Sequence, residues 1–75
     1  MSKHGDLEDM IEALTLTIVI HEREIAFFRR SAAISSSEEA KVLFLEIAEE
    51  MGSHVSSLAD RKDRLMKRLS DLRRH

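Results

Sequence analysis

Apolar side chains recur in the first half of the chain at Leu7, Met10, Ile11, Leu14, Ile18, Ile25, Phe28 and Ala32. Steps of three and four residues match the helical period, and they predict a helix over about residues 6–33. Asp6 is the expected N-cap, with Glu8, Asp9 and Glu12 following at the positive end of the helix dipole. The pattern then breaks at Ser35-Ser36-Ser37 and resumes after Glu38-Glu39. A serine followed by acids marks a helix start, and Ser36 with Glu39 has the spacing of a capping box. The second stripe is Leu43, Phe44, Ile47, Ala48, Met51, His54, Val55, Leu58, Leu65, Leu69 and Leu72, predicting a helix over about residues 37–73. Gly52 falls inside it. A mid-helix glycine costs about 1 kcal/mol relative to alanine, so it marks either a close helix contact, the reading preferred here, or a tolerated weak point.

Composition supports two helices and little else. The 75 residues include no proline, no cysteine and two glycines. Without cysteine there is neither a disulfide nor a thiolate metal site. Leu, Ile, Val and Phe are frequent enough to argue against disorder. The longest apolar stretch, Ala13 to Ile20, is far shorter than the roughly 20 residues of a membrane span, and the segment Met1 to Asp9 has no apolar core of a signal peptide. A soluble, cytoplasmic protein is expected, with no membrane partner.

The expected lengths are unequal, about 42 Å and about 54 Å. A short loop makes the helices antiparallel, and helix two is expected to overhang. Two helices cannot cover each other's apolar stripes. The chain as a whole, residues 1–75, therefore reads as one all-α unit: an antiparallel two-helix hairpin that dimerises into a four-helix bundle, or a higher even-numbered homo-oligomer.

Charge is split unevenly. Residues 1–60 carry five basic and twelve acidic side chains, whereas residues 61–75 carry seven basic and two acidic. The simplest reading is a helix C-terminus matched to its dipole and packed on an acidic neighbour. A sharper one is a docking end for an acidic partner, a membrane surface or nucleic acid. The acidic body opposes nucleic acid as a partner. Nucleophilic catalysis has no support either, since the chain has no cysteine, no glycine-bordered serine turn and no phosphate-cradling loop.

Position 21 stands out. Leu14, His21 and Phe28 lie seven apart, which places His21 on the inward stripe, with Glu24 three residues on. In helix two, Met51 and His54 fall on the stripe, and Glu50 lies four before His54. Histidines from both helices make His21 and His54, with Glu24 and Glu50, a candidate metal site. A two-fold dimer would bring four imidazoles near its axis. His4 and His75 are terminal and expected to be solvated, and Phe27, Phe28 and Phe44 are expected to pack.

The run His21-Glu22-Arg23-Glu24-Ile25-Ala26-Phe27-Phe28, then Ala32-Ala33, then Glu39-Ala40-Lys41-Val42-Leu43-Phe44 and Ile47-Ala48-Glu49-Glu50-Met51-Gly52-Ser53-His54, resembles the rubrerythrin branch of the ferritin-like superfamily. The similarity covers about residues 10–60. The single-hairpin length is similar to that of encapsulated ferritins, in which two chains build one four-helix bundle around a dinuclear iron site. The resemblance implies a metal-binding protein of iron oxidation, storage or peroxide-related redox, a ferroxidase- or peroxidase-like oxidoreductase. Of the family's ligands, His54 matches in type. The helix-one glutamate falls on His21 and the glutamate of Glu-x-x-His falls on Met51. Histidine does not bridge two irons as a carboxylate does, and methionine is a soft, neutral ligand. A non-standard site for iron or zinc is therefore expected, with His54 retained, His21 a replacement, and Glu24 and Glu50 supporting. The end of the chain, Ser70 to His75, does not resemble the targeting peptide of the encapsulated relatives. The alternative is a metal-free scaffold or adaptor, in which Met51 fills the vacated space and the imidazoles are buried and neutral.

Overall fold

The computed structural model describes residues 3–74, and side-chain burial from Gly5 to Arg74. Two helices, α1 (Lys3–Ile34) and α2 (Glu38–Arg73), pack against each other as a hairpin. The molecule is a rod of 58 × 16 × 14 Å. The expected imidazole of His75 and the side chain of His4 lie outside the described residues.

Leu7, Ile11, Leu14, Ile18, His21, Ile25, Phe28 and Ala32 of α1 are all buried or half-buried. So are Lys41, Phe44, Ala48, Met51, Val55, Leu58, Lys62, Leu65, Leu69 and Leu72 of α2. Both series alternate steps of three and four, the seven-residue repeat that keeps one seam facing a neighbouring helix. The seam is thin. Leu7, Ile25, Ala32, Ala48, Leu58 and Leu69 are its buried members, and among the described residues no side chain is wholly excluded from solvent.

Helix boundaries differ from the pattern in instructive ways. α1 begins at Lys3, so Asp6 lies within its first turn instead of capping it. There it still opposes the positive end of the dipole. α1 gains three residues at its start, less than one turn, and the open ends of the helices meet: Arg73 Nη2 near the end of α2 reaches Glu8 Oε1 at 2.8 Å. Both side chains are more than half exposed, so the pair contributes no more than about 1 kcal/mol. The turn between the helices also shifts by one residue. Ser37, not Ser36, caps α2: its backbone is extended (φ −97°, ψ 127°) and its Oγ accepts from the Ala40 amide at 3.2 Å. The third position from this cap is an alanine, so the Ser36–Glu39 box does not form. Ser35 ties the turn, its Oγ accepting from the Ser37 amide at 3.3 Å.

Gly52 does not mark a close approach. A methyl group added there would meet nothing within 4 Å. Thr15 and Thr17 donate their hydroxyls to the carbonyls of Ile11 and Ala13, each at 2.8 Å, which satisfies both side chains inside a helix. Among the described residues no helix is long and apolar enough to cross a membrane.

Much apolar surface remains uncovered. Met10, Ile20, Phe27, Ile34, Leu43 and Met66 are among the exposed large hydrophobic side chains, with Phe27 at 56% and Ile34 at 85%. Phe27 and Leu43, expected to pack in the core, touch it only at its edge; Phe27 stands edge-on to Phe28 at 5.5 Å. The physical reason is register. On α1 the series Met10, Ala13, Thr17, Ile20, Glu24, Phe27, Ser31, Ile34 runs one step round from the seam. On α2 the corresponding series is Ala40, Leu43, Ile47, Glu50, His54, Ser57, Arg61, Arg64, Arg68. These two series share one side of the rod, since Met10 and Ala13 line a groove with Arg61, Arg64 and Arg68. A hairpin can bury only one stripe per helix, which leaves Met10, Ile20, Phe27, Ile34 and Leu43 exposed on this side and Leu16, Val19, Val42, Leu45 and Met66 exposed outside both series.

Candidate functional site

Three of the four candidate ligands, His21, Glu24 and His54, lie together near the middle of the rod, and Glu50 does not join them. His21 occupies a seam position, where the helices are close enough for a ring from α1 to touch one from α2. Its centroid lies 5.3 Å from that of His54, with the planes tilted by 56°. His54 itself is exposed, on the flank of the seam and not inside it as the apolar stripe suggested. The side chain of His21 is 26% exposed. Neither imidazole is buried, so the expectation of two desolvated rings is not met.

Glu24, one turn after His21, places Oε1 2.9 Å from Nδ1 of the His21 ring. When the neutral ring donates its Nδ1 proton to this carboxylate, its lone pair is presented at Nε2. Glu24 is therefore a partner of the imidazole through its far nitrogen. A carboxylate in that place fixes the tautomer and raises the basicity of a ligating histidine.

The spacing of the rings is informative. Two imidazoles bound to one tetrahedral ion through bonds of about 2.0–2.1 Å have centroids about 5 Å apart. The observed 5.3 Å falls at that spacing and also within the range of about 4.5–7 Å at which rings ordinarily pack. One chain stops at that pair: among the described residues no three His, Asp or Glu side chains form a group able to hold a metal ion. Glu50 stands apart, on an exposed ledge with Glu46, Glu49 and Ser53, and it makes no ion pair among the described residues. Met51 is half-buried in the seam.

Toward the open end of the rod the same side changes character. Met10, Ala13, Leu14 and Leu65 floor a groove of about 560 Å³, and Arg61, Arg64 and Arg68 line its wall. None of these three arginines is in an ion pair among the described residues. The sequence pattern gave the basic run but not the whole of its apolar floor, because Met10, Ala13 and Leu14 come from the other helix.

Comparison with family models, with curated proteins and with solved structures gave no match.

Proposed function

We propose that the chain is half of a ferritin-like four-helix bundle that binds a metal ion. Two copies stack on the uncovered side, and each contributes His21 and His54 to a centre for a first-row transition ion such as zinc or iron. The observation behind this reading is the His21–His54 pair at 5.3 Å with Glu24 on the far nitrogen of one ring. Four neutral imidazoles from two chains make a complete tetrahedral set. Met10, Ile20, Phe27 and Leu43, exposed on this side, support the pairing, because apolar side chains grouped on one face mark interaction sites.

A carboxylate-bridged pair of irons does not fit this donor set. His21 and Met51 stand where the resemblance places carboxylates, and histidine cannot bridge. The proposed centre therefore binds a single ion, and iron oxidation or peroxide chemistry of the dinuclear kind is not part of the proposal.

Elemental analysis of untagged, native-purified protein tests it. Half an equivalent of zinc or iron per chain is expected, and none in His54→Ala. Less than about a tenth of an equivalent, even after anaerobic incubation with ferrous iron and zinc, overturns the reading. Met51 favours the second reading in that event: a half-buried thioether fills a ligand position well in a metal-free scaffold.

A further inference from the structure

We infer that the arginine-walled groove at the open end of the rod docks an acidic amphipathic helix of another protein. Carboxylates of that helix meet Arg61, Arg64 and Arg68, and its apolar side chains lie on Met10, Leu14 and Leu65. The inference does not rest on the metal centre proposed above. The groove belongs to the side on which two copies are proposed to stack, so the helix takes the place of the second copy over this stretch.

The three arginines are exposed, and none is in an ion pair among the described residues. Carboxylates are at hand. Asp60 stands four residues before Arg64 and Asp71 three after Arg68, the spacing at which helical side chains can meet. Arg73, on the same helix, is taken up by Glu8. The arginines of the groove are left over by the chain's own acids, and they wall an apolar floor.

Their spacing selects a helix as the occupant. Steps of three and four residues set the guanidinium groups in a row about 10.5 Å long. A helix laid beside α2 has the same rise, so carboxylates at the same steps along its edge face all three. The planar fork of arginine takes a carboxylate through two parallel bonds. A single small anion would engage only part of the row.

The floor requires that helix to be amphipathic. Met10 is 44% exposed, and Leu14 and Leu65 are half-buried. An apolar face on this floor, with an acidic edge on the wall, is the helix-in-groove mode of recognition. A nucleic-acid backbone has nothing to lay on methionine and leucine. Residues 1–60, with twelve acidic and five basic side chains, also repel an extended polyanion or an anionic membrane. A helix confined to the groove stays clear of that acidic body.

The probe is a designed helical peptide with leucines on one face and glutamates at steps of three and four along its edge. It is titrated into full-length protein that carries a dye and is held at nanomolar concentration, where a second copy competes little. Thermophoresis is expected to give a micromolar dissociation constant. Met10→Glu, and the triple reversal Arg61→Glu, Arg64→Glu, Arg68→Glu, are each expected to raise it about tenfold or more, with far-UV circular dichroism unchanged. A peptide with lysine in place of each glutamate is expected to bind the triple reversal and not the wild type, an exchange that damage to the fold would not produce. No binding at about 1 mM peptide overturns the inference. Equal affinity for a peptide with serine in place of its leucines would show diffuse charge attraction and also overturn it. Tighter binding to heparin or to phosphatidylserine vesicles than to the peptide would do the same. Wild-type dimers left intact by excess peptide would give the groove to the second copy instead. Metal content is read separately, so failure here leaves the metal centre standing, and loss of the metal centre leaves the groove.

Discussion

Glu24 holds the Nδ1 side of His21 at 2.9 Å from one turn away on the same helix. With Nδ1–H donating to that carboxylate, Nε2 carries the lone pair of the ring, and the orientation of His21 depends on Glu24. Glu24→Gln keeps the shape and removes the charge. It is expected to weaken zinc binding about tenfold to a hundredfold, as read by competition with a chromophoric chelator, with far-UV circular dichroism unchanged. Equal affinity in the variant and the wild type would remove Glu24 from the site.

Metal binding at the proposed centre is expected to weaken as the solution is acidified. Imidazole coordinates only in its neutral form, so each proton bound competes with the ion. Titration calorimetry in buffers of different protonation enthalpy is expected to show proton release on binding at mildly acidic pH. Binding that grows tighter on acidification would point to carboxylates alone.

Gly52 offers a stabilising substitution. Nothing lies within 4 Å of an added methyl group, and alanine is favoured over glycine inside a helix by about 1 kcal/mol. Gly52→Ala should therefore raise the melting temperature by several degrees, about 4–8 °C per kcal/mol for a chain of this size. A fall in melting temperature would mean that the side of the rod bearing Gly52 is covered in solution.

Leu58 and Phe27 should separate folding from association. Leu58 is buried in the seam, and Leu58→Ala is expected to destabilise the protein by about 2–5 kcal/mol. Phe27 is more than half exposed. Phe27→Ser is expected to leave helicity intact at high concentration and to shift the dimer–monomer equilibrium seen by sedimentation. Loss of helicity in Phe27→Ser at high concentration would place Phe27 in the fold itself.

The hairpin was legible in the sequence because periodicity and the serine turn are local signals. Leu7, Ile25, Ala48, Leu58 and Leu69 stand on the seam where the spacing puts them. The first-turn boundaries were not, since Asp6 and Ser36 are as good caps as Ser37 in isolation, and only packing against the other helix decides which residue is extended. His21 and His54 were legible as a pair, but their places differ. A stripe wide enough to include Leu43 and His54 merges the seam with its flank, and only the opposing helix shows where one ends. The arginine-walled groove was out of reach for the same reason, its floor being supplied by residues some fifty positions away.

The clasp between Glu8 and Arg73 has a kinetic consequence. It joins residues 65 positions apart, whereas the Phe28–Phe44 contact beside the turn, at 6.2 Å, spans only 16. Closing the longer loop directly from the unfolded chain costs about 1.2 kcal/mol more than closing the shorter one. The rod should therefore zip from the serine turn outward, with the tip carrying both ends of the described chain closing last and reopening first. Amide exchange along either helix should then report a gradient of protection that falls from the serine turn toward the tip where Glu8 meets Arg73.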